Sequence, residues 1–109
     1  MDIEFSSKDL AELCQSERRA MRELGQPGAR KLFARLADLT AAAHVGELVA
    51  GFPHPLQGDR AGQFSVRLDG GRRLVFRAAN APIPVDDDGS IDWTRVTRVR
   101  IEFIGDSHG

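Results

Sequence analysis

Ile3 and Phe5 alternate with Asp2 and Glu4, the pattern of a short strand with one buried face. Ser6 or Ser7 then offers a helix N-cap, Asp9 falls in the first turn, and Leu10, Leu13 and Cys14 share one helical face. A further helix-prone, basic stretch runs from Glu17 to Leu24 and breaks at Gly25-Gln26-Pro27-Gly28, where Pro27 is suited to open the next helix. That helix carries Leu32, Phe33, Leu36 and Leu39 as a one-sided stripe, with Arg30, Lys31 and Arg35 between them.

His44 to Gly51 reads as a short helical link, and the prolines of Phe52-Pro53-His54-Pro55 force an extended or turn-like segment. Phe64, Val66 and Leu68 alternate with Ser65 and Arg67, Asp69-Gly70-Gly71 makes a turn, and Leu74 and Phe76 alternate with Arg73, Val75 and Arg77. This is a hairpin. Val99, Ile101 and Phe103 alternate with Arg98, Arg100 and Glu102, which predicts a further paired strand with those three apolar residues on one face. The order predicts a single α+β domain over residues 1–109, with an N-terminal strand and two or three helices packed on one face of an antiparallel-rich sheet. The other face is expected to be partly open. Asn80 to Asp92, containing Asp86, Asp87 and Asp88, reads as an acidic surface excursion whose return is anchored by Trp93.

With 109 residues, 41% of them hydrophobic, the chain can fill one core but not two. A formal net charge of -1 excludes a whole-protein positive field, so any nucleic-acid contact has to come from a local patch. Residues 1–80 carry the basic excess and residues 81–109 the acidic one. The single cysteine, Cys14, sits on an apolar helix face as a core residue and fits a reducing compartment. Met-Asp-Ile-Glu-Phe lacks the cationic start and apolar run of a secretory signal, and no stretch approaches the roughly 18 apolar residues that span a bilayer. A cytoplasmic protein with no membrane contact is expected.

If the apolar hairpin residues face the helices, Ser65, Arg67, Arg73, Val75 and Arg77 fall on the opposite face, with Arg98 and Arg100 nearby and Arg60 and Arg72 added from loops. Guanidinium forks match phosphate oxygens, although strand arginines equally well serve as solvated charges that blunt sheet edges. Of the three histidines, His44 follows an alanine run as a surface or capping residue, and His108 lies beside the chain end. His54 is held stiffly between two prolines, a setting suited to aiming its ring. One cysteine and dispersed histidines make no zinc spacing, and neither a nucleophile-elbow motif nor a Walker-type loop is present, so no metal or cofactor is expected.

Leu56-x-Gly58-Asp59-Arg60-x-Gly62-Gln63-Phe64-Ser65-Val66-Arg67-Leu68, followed by Arg73-Leu74-Val75-Phe76, resembles the signature of the RelE/ParE toxin superfamily. The likeness is greatest to the HigB-like (host-inhibition-of-growth, or killer protein) branch. It extends from the Phe5-Ser6-Ser7 strand-to-helix start to the final Asp106-Ser107-His108. The resemblance implies a RelE-like fold and a small bacterial toxin that cleaves messenger RNA in the ribosomal A site. Its partner would be a cognate helix-turn-helix antitoxin, with DNA contacted only through that antitoxin.

Carried onto matching positions, the resemblance implies that His54, Asp106 and His108 surround the scissile ribose and that Arg73 holds a phosphate, and the cationic face and its loops add Arg60, Arg67 and Arg77 as candidate phosphate ligands. The implied chemistry is metal-free transesterification: a base takes the ribose 2′-OH proton, arginines stabilise the phosphorane, and an acid protonates the departing 5′-oxygen. Either histidine can fill either role, with Asp106 orienting one of them. The chain departs from the family pattern in having no tyrosine, with Ser107 in the terminal triplet and Arg72 where many relatives place an aromatic residue. Those departures and the low charge suit a different class of activity on the same fold. Such a protein would be a non-catalytic toxin directed at a protein target such as gyrase, or a degenerate toxin that serves only as antitoxin partner.

Overall fold

The structure, a computed structural model, describes residues 1–106. It has a strand β1 (Asp2–Phe5), helices α1 (Lys8–Gln15) and α2 (Glu17–Ala41), a two-residue strand β2 (His54–Pro55), and strands β3 (Gln63–Arg67), β4 (Arg72–Ala78) and β5 (Arg98–Asp106). They form one sheet in the order β1-β5-β4-β3-β2, antiparallel except for the parallel β1–β5 pair. No helix among the described residues is long and apolar enough to cross a membrane.

Local signals place the helices. Ser7 Oγ accepts from the Leu10 N–H and Ser16 Oγ from the Arg19 N–H, each satisfying a donor that the first helical turn leaves open. α2 changes direction at Gly25, whose φ of 76° is non-helical, and resumes through Pro27, as the sequence predicts. At its far end the Met1 ammonium donates to the carbonyls of Leu39, Thr40 and Ala42, where the helix dipole favours a cation.

One face of the sheet packs on the helices. Phe64, Val66, Leu74, Phe76, Val99 and Ile101 meet Leu13, Leu24, Leu32 and Leu39 in a single core. Phe76, at 0% exposure, is worth about 1.5–3 kcal/mol in this setting. Trp93 closes the core over Phe64 and Phe76, with ring centroids at 4.9 and 6.4 Å. It thereby returns the acidic excursion to the sheet.

Phe103 does not join Val99 and Ile101 on that face. Val75 pairs with Phe103 and the adjacent Phe76 pairs with Ile101, so Glu102 is an extra residue on β5. This bulge reverses the alternation, sending Ile104 to the core and Phe103 to the opposite face. The opposite face is also less open than expected. Ser65 and Val75, 1% exposed each, lie in one cross-strand row between His54 and Phe103.

Candidate functional site

The chain enters β2 through a tight turn. Gly51 has φ 85°, its carbonyl accepts from the Arg67 N–H at 2.6 Å, and a Cβ there would stand 3.1 Å from the Arg67 carbonyl oxygen. Phe52 follows with φ 50°, the one non-glycine residue with positive φ among those described. For an aromatic residue that conformation costs about 1–3 kcal/mol. The prolines on either side then hold His54 extended opposite Ser65.

His54 Nδ1 lies 2.8 Å from the Phe52 carbonyl oxygen. A carbonyl can only accept, so Nδ1 carries the proton and Nε2 is the atom able to exchange one. The Phe52 ring meets the His54 ring edge-on at 5.4 Å, and the Arg67 guanidinium sits 5.1 Å over the Phe52 ring.

Beyond β2 the sheet carries a groove of about 380 Å³ lined by His54, Ser65, Arg67, Arg73 and the turn residues Gly70, Gly71 and Arg72. Arg67 and Arg73 are direct partners across β3 and β4. Two polar atoms in the groove's lining residues, Ser65 Oγ and Arg73 Nε, are buried with no hydrogen-bond partner among the described residues. Buried donors without partners are costly, and like charges directly opposite each other on adjacent strands are destabilising. The arginine side chains lining the groove give it the chemistry to take an anion. Ser65 was not singled out by the sequence as a site residue; the mark of it is a serine on an arginine-rich strand, directly across from the proline-bracketed histidine.

The neighbouring row provides a contrast. Arg77 and Arg100 are also direct partners, but Arg77 is ion-paired with Glu102 at 2.9 Å and Arg100 with Glu4 at 3.2 Å. Arg98 lies 3.7 Å from Asp2. Of the four arginines suggested as phosphate ligands, therefore, Arg67 and Arg73 line the groove and Arg77 is neutralised beside it. Arg60 belongs to a turn at Gly58–Arg60 and does not line the groove.

Arg72 turns the other way. Its guanidinium donates to the Leu24 carbonyl at 2.8 Å and approaches Asp69 at 3.3 Å. It thus caps the helical segment that stops at Gly25. A Cβ on Gly28 would stand 2.9 Å from that guanidinium, so the glycine-rich break makes room for it. Asp106 ends β5 opposite Arg72, with carboxylate oxygens 3.7 Å from where a Gly71 Cβ would be. It therefore reaches the same turn that lines the groove. His108 lies outside the described residues.

An arginine-lined groove beside an imidazole with a defined tautomer has the groups needed to bind a phosphate and move a proton. No protein-family model matches the sequence, and no curated protein does either. The fold is that of the YoeB/ParE toxins, α+β with a mostly antiparallel sheet. In particular, the chain is similar to a YoeB/ParE toxin from Agrobacterium tumefaciens, with a TM-score of 0.60 and 18% identity over 97% of this chain and 98% of that one. It is also similar to a chain of the YoeB-YefM complex from Staphylococcus aureus, with a TM-score of 0.57 and 18% identity over 96% of this chain and 94% of that one. A YoeB dimer from the same organism matches with a TM-score of 0.57 and 17% identity.

Proposed function

We propose that the chain is the toxin of a type II toxin-antitoxin system and a metal-independent endoribonuclease of the HigB-like kind, acting on messenger RNA at the ribosome. The observation that carries this reading is the opposed pair Arg67 and Arg73 beside His54 Nε2. In this scheme the ribose 2′-oxygen attacks the adjacent phosphorus as its proton leaves, and the bond from phosphorus to the 5′-oxygen breaks as that oxygen gains a proton. Arg67 and Arg73 hold the charge that builds on the phosphorane. His54 Nε2 takes or gives one of the two protons, with Asp106 and His108 serving the other end. The fragments end in a 2′,3′-cyclic phosphate and a 5′-hydroxyl.

The likeness to a chain of the YoeB-YefM complex supports a protein partner, which we take to be a helix-turn-helix antitoxin. Inducing the protein in cells and mapping message ends tests the assignment. New 5′-hydroxyl ends, absent with His54→Ala, are expected; intact messages with normal growth overturn it.

The ion-paired state of Arg77, Arg98 and Arg100 and the net charge of -1 favour a second reading, a non-catalytic toxin that binds a protein target such as gyrase. Arrested replication with intact messages is its signature.

A further inference from the structure

Phe52 takes no part in the hydrophobic core. It is 65% exposed, stands apart from the core, and is the one exposed aromatic ring among the described residues. Its backbone adopts a left-handed conformation that glycine would adopt without strain. The ring meets the His54 ring and the guanidinium of Arg67, both members of the groove. The molecule thus holds an apolar ring in water, in a strained backbone, at the rim of its arginine-lined groove.

We propose that Phe52 is the platform on which a nucleobase of the RNA substrate stacks, namely the base flanking the phosphate held between Arg67 and Arg73. This rests on the ribonuclease reading of the groove. In-line attack by a 2′-oxygen requires the nucleotide at the scissile bond to leave its regular stack, and a base that leaves a stack gains most from an aromatic face nearby. The other aromatic rings are committed elsewhere. Phe64, Phe76 and Trp93 pack together, Phe5 and Phe33 pack against the core, and Phe103 lies over Gly105, where a Cβ would stand 3.1 Å from its ring. Phe52 therefore supplies the stacking surface in a chain with no tyrosine. Stacking of this kind is tolerant of base identity, because every base presents a π-face.

The experiment compares wild-type protein with Phe52→Trp, Phe52→Leu and Phe52→Gly, each checked for a cooperative thermal transition. One measurement is cleavage of a ribosome-bound message. The other is quenching of a 2-aminopurine placed in a single-stranded 2′-O-methyl oligonucleotide, which cannot be cleaved. Phe52→Gly keeps the backbone conformation and removes the ring, so folding and stacking are read separately. Loss of the ring is expected to raise the half-saturating substrate concentration about tenfold to a hundredfold and abolish quenching. Phe52→Trp is expected to retain both and Phe52→Leu neither.

Equal cleavage and quenching in wild type and Phe52→Gly overturns the stacking role. Full rescue by Phe52→Leu overturns it as well, since that result assigns Phe52 to apolar packing. Absence of cleavage by wild type defeats the ribonuclease reading, and the quenching measurement alone then decides the stacking role. Wild type that neither cleaves nor quenches defeats both.

Discussion

Arg67 and Arg73 face each other across adjacent antiparallel strands, and among the described residues no carboxylate ion-pairs with either. Like charges in this position oppose folding. Arg73→Gln is expected to leave the melting temperature unchanged or slightly raised. RNA cleavage is expected to fall by about a hundredfold to a thousandfold, the usual cost of removing one donor to a developing oxyanion. A clear drop in melting temperature with cleavage intact is the contrary result.

His54 presents Nε2 because Nδ1 is occupied by the Phe52 carbonyl. His54→Ala is expected to lower the single-turnover cleavage rate by about a hundredfold or more, with RNA binding nearly unchanged. Measuring rate and binding on one RNA checks the division, which fails if binding collapses along with the rate.

Phe52 strains the backbone that carries it. Phe52→Gly is expected to stabilise the fold by about 1 kcal/mol. The unfolding midpoint then rises by several degrees, and a lower midpoint shows that the ring's contacts outweigh the strain.

Arg72 ties the β3–β4 turn to α2 through the Leu24 carbonyl and Asp69. Arg72→Ala removes a charged donor from a half-buried carbonyl and is expected to cost about 1.5–3 kcal/mol in denaturant unfolding. A change below about 0.5 kcal/mol, the range of an ordinary surface substitution, contradicts the cap.

Burial pushes the Cys14 thiol up to about 11. The native thiol is therefore protonated at neutral pH and is expected to react with alkylating reagents only as fast as the protein opens. Above the unfolded thiol's pKa of about 8.5, the unfolded chain releases a proton that the native state keeps. This contribution to stability is complete below that pH and disappears as pH rises towards 11. Unfolding of wild type and Cys14→Ala at several alkaline pH values checks the sign, since the difference between them should narrow as pH rises.

Local chemistry by itself determined a helix cap at Ser6 or Ser7, which the structure places at Ser7, the break at Gly25, the β3–β4 hairpin and the stiff setting of His54. Each follows from interactions between residues near in the chain, or from a strand's strict alternation. Tertiary structure decided the remainder. The bulge at Glu102 moved Phe103 across the sheet, which alternation within β5 alone does not reveal, because it depends on the register with β4. The division of the arginines was settled the same way. Arg72 found the end of a helix, Arg77 and Arg100 found glutamates, and Arg67 and Arg73 were left facing each other. A guanidinium's role depends on which partner the fold brings within reach, and those partners come from elements far apart in the chain.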